Sequence, residues 1–260
     1  AIGRAIENHR IDALVVVGGY NSYLSFQAIS QDLERYPALR IPMVLVPASI
    51  DNNLPGAEIS IGADTALNNI VRSLDLIKES AAASKRLFVA ETMGRKCGYL
   101  ALIGGIAAGA EKAYLEEDAI TLEQLGADAA QMRETFAKGR RLALVVRNEM
   151  AGGRYDMGFM ADVFKQEAQG HYDVRTDVLG HQQQGGVPSP FDRLLAVRMM
   201  YRAMEHLDAA LDEGLQDIEY MGEENGRVVF HDIADMKKQV DVEKRRPLQQ
   251  WWLCIRPLLS

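Results

Sequence analysis

Four stretches of this chain each enclose an unbroken apolar run: DALVVVGG at 12–19, IPMVLVPAS at 41–49, RLFVAET at 86–92 and RRLALVVRNEM at 140–150. A strand with one face in water alternates apolar and polar residues. A strand covered on both faces does not, and unbroken runs of this length are the mark of a parallel sheet sandwiched between helices. Helix-patterned segments separate the runs: NSYLSFQAISQDLERY at 21–36, a long segment at about 63–80, and TLEQLGADAAQMRETFAKG at 121–139. MGFMADVFKQEAQG at 157–170 and SPFDRLLAVRMMYRAMEHLDAALDEG at 189–214 continue the series. KCGYLALIGGIAAGA at 96–110 adds a segment whose small residues permit close helix packing. KAYLEED (112–118) and YDVRTDVLGH (172–181) read as further strands. Thr121 with Gln124 forms a capping box, Gly139 is a stop signal, and Ser189, Pro190 and Asp192 make a helix start. The alternation predicts an α/β fold, with mostly parallel sheets and helices on both faces. There are no repeats and no low-complexity linker.

In such folds ligands bind beyond the carboxyl ends of the strands, and the polar motifs fall there. Gly18-Gly19-Tyr20-Asn21-Ser22 ends one run and Ser49-Ile50-Asp51-Asn52-Asn53 another. Met93-Gly94-Arg95, Arg147-Asn148-Glu149 and Gly180-His181 end three more. Composition narrows what they can bind. A formal net charge of −7 argues against general nucleic-acid binding. The basic spots Lys85-Arg86, Arg140-Arg141 and Lys244-Arg245-Arg246 suit a small anion. The 2 cysteines, Cys97 and Cys254, make neither a disulfide framework nor a metal site and fit a cytoplasmic setting. No apolar run approaches the ~18 residues of a membrane span, and no signal peptide opens the chain. The first residue is Ala, inside the helix-like AIGRAIENHR, so a piece of a longer chain is expected.

Each motif has two readings. The glycines at 18–19 suit either a phosphate cradle at a helix N-terminus or a tight strand-to-helix turn. No P-loop lysine accompanies them, so this is not a Walker site. Asp51 is either a general base or a turn residue completed by Pro55-Gly56. Arg86 and Arg95 flank one strand, Arg175 and His181 another. Together they are a candidate phosphate clamp; singly, each arginine reads as a surface residue. Glu149 either accepts from sugar hydroxyls or pairs with Arg147 or Arg154. His171, His206 and His231 read as surface residues, Trp251-Trp252 as a packing anchor for the tail, and Met199-Met200 as core.

Taken together and in order, these motifs resemble the phosphofructokinase family. The carriers are GGYNS, PASIDNNLPG, KRLFVAETMGRKCGYLA, VVRNE, DVRTDVLGHQQQGGVPSPFDR and RRPLQQWWLCIRPLL, covering nearly all of the chain. The resemblance is to the C-terminal, regulatory half of the tandem-duplicated, ATP-dependent eukaryotic type. It implies two lobes. Residues 1–62 with 188–245 would form the family's larger, nucleotide-type lobe without its first strand. Residues 63–187 with 246–260 would form the smaller, sugar-phosphate lobe, with helix 63–80 crossing between them.

The resemblance also divides the site residues. Where a catalytic half reads GGDGS, this chain reads GGYNS, so Tyr20 stands for the carboxylate that serves magnesium and Asn21 for a glycine. Gly18, Gly19, Tyr20, Asn21 and Ser22 become a degenerate nucleotide loop. TIDND becomes SIDNN, which keeps Asp51 as a vestigial base candidate and puts Asn53 for the second Asp. GHxQRGG becomes GHQQQGG, so Gln184 replaces an arginine. The sugar-phosphate set matches better: Met93, Gly94, Arg95, Glu149, Arg86, Arg175 and His181, with Ser49, Asn52, Gln184 and Arg245 completing the candidates. Arg86 and Arg175 are expected to reach a neighbouring half's site, which implies a homo-oligomer, dimer or tetramer.

Losing one electrostatic donor costs about 3 kcal/mol of transition-state stabilisation, and three such losses predict little turnover. The expectation is a regulatory half of a 6-phosphofructokinase, binding a sugar-phosphate effector such as fructose 2,6-bisphosphate. It would hold no cofactor or metal of its own, MgATP serving the complete enzyme. The rivals are an active kinase half using Asp51 as base and a purely structural oligomerisation half. An anion at Asp51 would also repel an effector's 2-phosphate unless turned away or protonated.

Overall fold

A computed structural model describes residues 2–80 and 84–259. Its elements, in chain order, are α1 (Ile2–His9), β1 (Leu14–Gly18), α2 (Tyr20–Gln31), β2 (Met43–Pro47), α3 (Ala63–Ser80) and β3 (Arg86–Thr92). Then come α4 (Tyr99–Ala107), β4 (Lys112–Tyr114), α5 (Leu122–Ala137), β5 (Leu142–Asn148), α6 (Met157–Glu167) and β6 (Asp173–Val178). The chain ends with α7 (Pro190–Glu213), β7 (Ile218–Glu224), β8 (Arg227–Asp232), α8 (Met236–Gln239), β9 (Val240–Asp241), β10 (Arg246–Pro247) and a 3-10 segment, Trp251–Leu259. It divides into two compact units, Ala1–Asp64 with Pro188–Gln249 and Thr65–Val187 with Gln250–Ser260, and passes from the first to the second inside the opening turn of α3. No described helix is long and apolar enough to cross a membrane.

The first unit holds a sheet in the order β1-β2-β7-β8. β1, β2 and β7 run parallel, and β8 pairs antiparallel with β7. β2 is buried along its whole length, as an unbroken MVLVP run requires. One face packs on α2 through Tyr23, Phe26, Met43, Leu45 and Tyr220. The other packs on α7 through Val44, Val46, Leu195, Met199 and Leu207. Ser189 caps α7 by accepting from the Asp192 amide, and Gly214 in the left-handed region ends it.

The second unit holds an all-parallel sheet in the order β4-β5-β3-β6. Its core gathers Leu87, Val89, Val145, Met132, Phe136 and Phe164. Phe136 stacks on Tyr172 with ring centroids 4.5 Å apart. Trp252 is buried with its ring edge-on to Tyr99, which seats the tail, while Trp251 stays half exposed.

Some elements differ from the sequence expectation. The helix read over 21–36 stops at Gln31, and Pro37 opens a separate 3-10 turn; Tyr36, directly before the proline, lies outside the helical region, with φ −129 and ψ 84. The strand read at 112–118 is only three residues long. The β7–β8 hairpin was not anticipated, although Asn225-Gly226, both with positive φ, is the strongest short hairpin signal a sequence carries. The capping box forms one bond: Thr121 accepts from the Gln124 amide, while the Gln124 side chain donates to Asp128. His206 and His231 are not simple surface residues. His206 stacks on Phe230 and bonds Glu219, and His231 stacks on Tyr220 at 5.0 Å.

Candidate functional site

In the first unit the polar loops follow β1 and β2. Gly19 is the N-cap of α2, and its carbonyl accepts from Ser22 and Tyr23. A Cβ on Gly18 would sit 2.1 Å from the Ser22 hydroxyl oxygen and 2.8 Å from its Cβ, so a larger residue there would force Ser22 to move. Tyr20 is buried and belongs to the α2 core face. Its hydroxyl has no hydrogen-bond partner, and burial pushes its pKa up. The Arg245 guanidinium lies 5.9 Å from the ring centroid and opposes part of that shift. An aromatic ring packed inward is a poor magnesium ligand, which wants a hard oxygen donor facing water or phosphate. The residues of this loop therefore do not fit a metal–nucleotide complex. Asn21 is exposed and Ser22 half-buried.

The loop after β2 is tied to itself and to the strap around β9 and β10. Asn52 adopts φ 48, and both ends of its side chain are used: Nδ2 donates to the Glu58 carbonyl at 2.9 Å, and Oδ1 accepts from the Ser60 amide at 2.8 Å. Asn53 accepts from the Ser49 hydroxyl at 3.0 Å and donates to the Arg245 carbonyl at 3.0 Å. Asp51 is half-buried in the turn between them. Asn52 thus holds the loop, and Ser49 and Arg245 are joined through Asn53.

In the second unit, Met93, Gly94, Arg95, Glu149 and Gln184 come together at the carboxyl ends of β3, β5 and β6. Gly94 has φ 126, and a Cβ there would lie 2.4 Å from the Cys97 carbonyl oxygen. The Glu149 carboxylate accepts from the Arg95 amide at 2.7 Å, and its own amide donates to the Thr92 carbonyl. Gln184 reaches the Met93 sulfur at 3.6 Å. His181 and Gln184 sit exposed on one 3-10 turn, Gly180–Gln184. That turn is pinned by Gln183, whose buried side chain accepts from the Met93 amide at 3.2 Å and donates to the Gly180 carbonyl at 2.9 Å. The exposed Arg95 and His181 offer donors, and Glu149 offers an acceptor, a set suited to a phosphorylated polyol.

A clamp of Arg86 with Arg95 does not form. Arg86 opens β3 and Arg95 lies past its end, so about 20 Å of strand separates them. Arg86 instead shares a sheet face with Arg175, because Phe88, two residues on, is the register partner of Arg175. Arg175 is exposed on the edge strand, 3.8 Å from Asp173.

Three further features went unrecognised in the sequence. Asn148 is fully buried; it donates to the Met93 carbonyl at 3.3 Å and the Cys97 carbonyl at 3.2 Å, and accepts from the Met150 amide at 3.0 Å. Gln183 is indistinguishable from its neighbours in a run of three glutamines. Arg147 pairs with Glu91 rather than Glu149, and also donates to the Ala151 carbonyl at 2.6 Å. Burial pushes the Glu91 carboxyl up, opposed by Arg147, and pulls the Arg147 guanidinium down, opposed by Glu91. Their position directly before Thr92 and Asn148 puts an ion pair beneath the loop that carries Met93 and Arg95.

Comparison with known proteins identifies the family. A family model described as phosphofructokinase matches residues 1–207. The chain is 41% identical, over 269 aligned positions, to the human platelet-type ATP-dependent 6-phosphofructokinase, covering 100% of this chain and 34% of that protein. It is 39% identical to ATP-dependent 6-phosphofructokinase 1 of Caenorhabditis elegans, covering 98% of this chain and 33% of that protein. Among solved structures, phosphofructokinase from Saccharomyces cerevisiae superposes with a TM-score of 0.90 at 33% identity, covering 99% of this chain and 37% of that one. A pyrophosphate-dependent phosphofructokinase from Marinobacter aquaeolei, at 20% identity and a TM-score of 0.69, shares the fold. The chain spans about a third of the length of the curated relatives it matches. With motifs, fold and full-length similarity in agreement, the chain belongs to the phosphofructokinase family.

Proposed function

We propose that this chain is a regulatory half of an ATP-dependent 6-phosphofructokinase, and that it binds a sugar-phosphate effector, fructose 2,6-bisphosphate being the first candidate. The observation that carries this reading is Tyr20. It stands where the family's catalytic pattern has a magnesium carboxylate, and it packs into the core. Phosphoryl transfer relies on metal and cationic groups around the transferring phosphoryl. With Tyr20, Asn53 and Gln184 in place of two carboxylates and an arginine, Asp51 lacks the groups that would make its basicity useful. The sugar-phosphate loop, by contrast, is held by Glu149, Asn148 and Gln183, so a preformed binding surface outlasts the chemistry. Arg95, His181 and Glu149 would meet the ligand. Arg86 and Arg175, on one sheet face and removed from the Met93 loop, would serve the ligand of a neighbouring copy, which makes the functional species an oligomer.

The test is calorimetric titration of the full-length protein and its His181→Ala variant with fructose 2,6-bisphosphate and fructose 6-phosphate, with turnover assayed in parallel. Effector binding lost with unstimulated turnover intact supports a regulatory half. Turnover lost with effector binding unchanged makes the half catalytic and refutes the argument from Tyr20. Binding of neither sugar phosphate by the wild type would make the half structural.

A further inference from the structure

The loop that carries Met93 and Arg95 holds a backbone that would not persist unaided. Gly94 has φ 126 and Arg95 φ 49, so two consecutive residues lie in the left-handed region and one of them is not a glycine. Such conformations survive only where the surroundings over-determine them. Asn148 and Glu149 hold the loop from the end of β5. Its other end runs into α4, whose N-cap, Gly98, has no side chain to close the helix. In a capping box a glutamate in the first turn bonds the N-cap amide, but α4 opens Tyr99-Leu100-Ala101 and carries none. A carboxylate from the loop after β4 takes that place. Both oxygens of Glu117 accept from the Gly98 amide, at 3.0 and 3.1 Å, and an anion is the favourable charge at a helix N-terminus. Glycine at 98 permits the approach: a Cβ there would lie 2.6 Å from the Glu117 carboxylate and 2.9 Å from the Leu115 Cβ.

Glu117 is held in turn from the tail. Gln250 Nε2 donates to Glu117 Oε1 at 2.9 Å and lies 3.8 Å from the Cys97 sulfur. The segment after Gln250 is fixed along α4. Trp252 packs edge-on against Tyr99, and Leu259 is buried beside Gly105, where a Cβ would stand 3.3 Å from Leu259 Cδ1. Arg256 pairs with Asp118, the residue after Glu117, at 2.7 Å.

We propose that Glu117 is a positioning residue for ligand binding by the loop that carries Met93 and Arg95, and that Gln250 sets it in place. Glu117 touches no ligand. It fixes the amide at which the Gly94-Arg95 turn passes into α4, and so the direction in which the Arg95 side chain leaves the loop. The proposal rests on the reading of this loop as a sugar-phosphate site. A residue that merely capped α4 would stabilise the fold and leave affinity alone.

The test uses the full-length protein. Fructose 2,6-bisphosphate is the probe in calorimetric titrations, and hydrogen exchange over residues 93–98 is read on the ligand-free protein. Glu117→Ala should raise the Kd by about 2- to 30-fold and speed exchange in that segment by about tenfold or more. Glu117→Gln keeps a carbonyl oxygen for both donors and should recover most of the affinity, while Gln250→Ala should move both readouts the same way by less. Leu259→Ala loosens the tail at its far end and should lower the melting temperature with the Kd unchanged. Wild-type affinity in Glu117→Ala overturns the proposal, and so does an equal loss of affinity in Leu259→Ala, which makes the role structural. A wild type that binds no fructose 2,6-bisphosphate refutes the effector reading instead. Exchange then decides for Glu117 alone: faster exchange in Glu117→Ala supports its hold on the loop, and unchanged exchange overturns it.

Discussion

Replacing Asn148 by alanine tests whether the loop that carries Met93 and Arg95 is preformed by a single buried amide. The side chain is fully buried and makes three hydrogen bonds, to the carbonyls of Met93 and Cys97 and from the amide of Met150. A buried bond contributes about 1 kcal/mol net, and a buried group left unsatisfied costs about 1–3 kcal/mol. Three bonds lost together cost about 3 kcal/mol or more. For a protein of this size each kcal/mol lowers the melting temperature by about 2–4 °C, so Asn148→Ala should melt some ~6–12 °C lower in a calorimetric scan. Asn148→Asp keeps the shape and the acceptor but points an anion at two carbonyl oxygens, and should be at least as damaging at neutral pH. The introduced carboxyl would have a folded-state pKa above its unfolded value, so its penalty is full above the folded pKa and fades as pH falls toward the unfolded one. If both variants melt within about 2 °C of wild type at pH 7, the loop does not depend on Asn148 and the argument fails.

Other positions give sharper contrasts. Gly94→Ala must hold φ 126 with a Cβ 2.4 Å from the Cys97 carbonyl oxygen; backbone strain alone is about 1–3 kcal/mol, and both melting temperature and sugar-phosphate affinity should fall. Glu91→Leu strands the nearly buried Arg147 and should cost about 3–5 kcal/mol, whereas Glu91→Leu with Arg147→Met should recover much of the loss in a double-mutant cycle on chemical denaturation. Tyr20→Phe removes a buried hydroxyl that has no partner, so stability should change by less than about 1 kcal/mol and effector affinity not at all. A large loss in that variant would mean the hydroxyl, not the ring, is what position 20 supplies.

Much of the fold was legible because its causes are local. The unbroken runs at β2, β3 and β5 read as doubly covered strands from their composition. Ser189 before Pro190 marked the start of α7, and Ala63 to Ser80 is a helix of the expected bounds. The candidate ligand residues were legible from motif order, since Met93-Gly94-Arg95 and Gly180-His181 end strands that the pattern had already placed. The Asn225-Gly226 turn was equally local, and its signal went unread.

What no local pattern carried was the use of each polar side chain. Gln183 contacts a loop 90 residues away and Asn148 one 55 residues away, so neither is marked by its neighbours in sequence. Arg147 had Glu149 beside it in the chain, whereas its partner Glu91 lies 56 residues away. The parallel register of β3 and β5 sets Glu91 directly opposite Arg147 and so selected the partner. The register of β3 with β6 sets Arg86 on the same sheet face as Arg175, and the length of β3 parts it from Arg95. The amino-acid sequence alone determined the alternation of covered strands and helices, because apolar residues must leave water wherever they lie. The tertiary structure alone decided which amide, which ion pair and which arginines stand together, because buried polar groups must find partners and only the folded chain brings distant ones within reach.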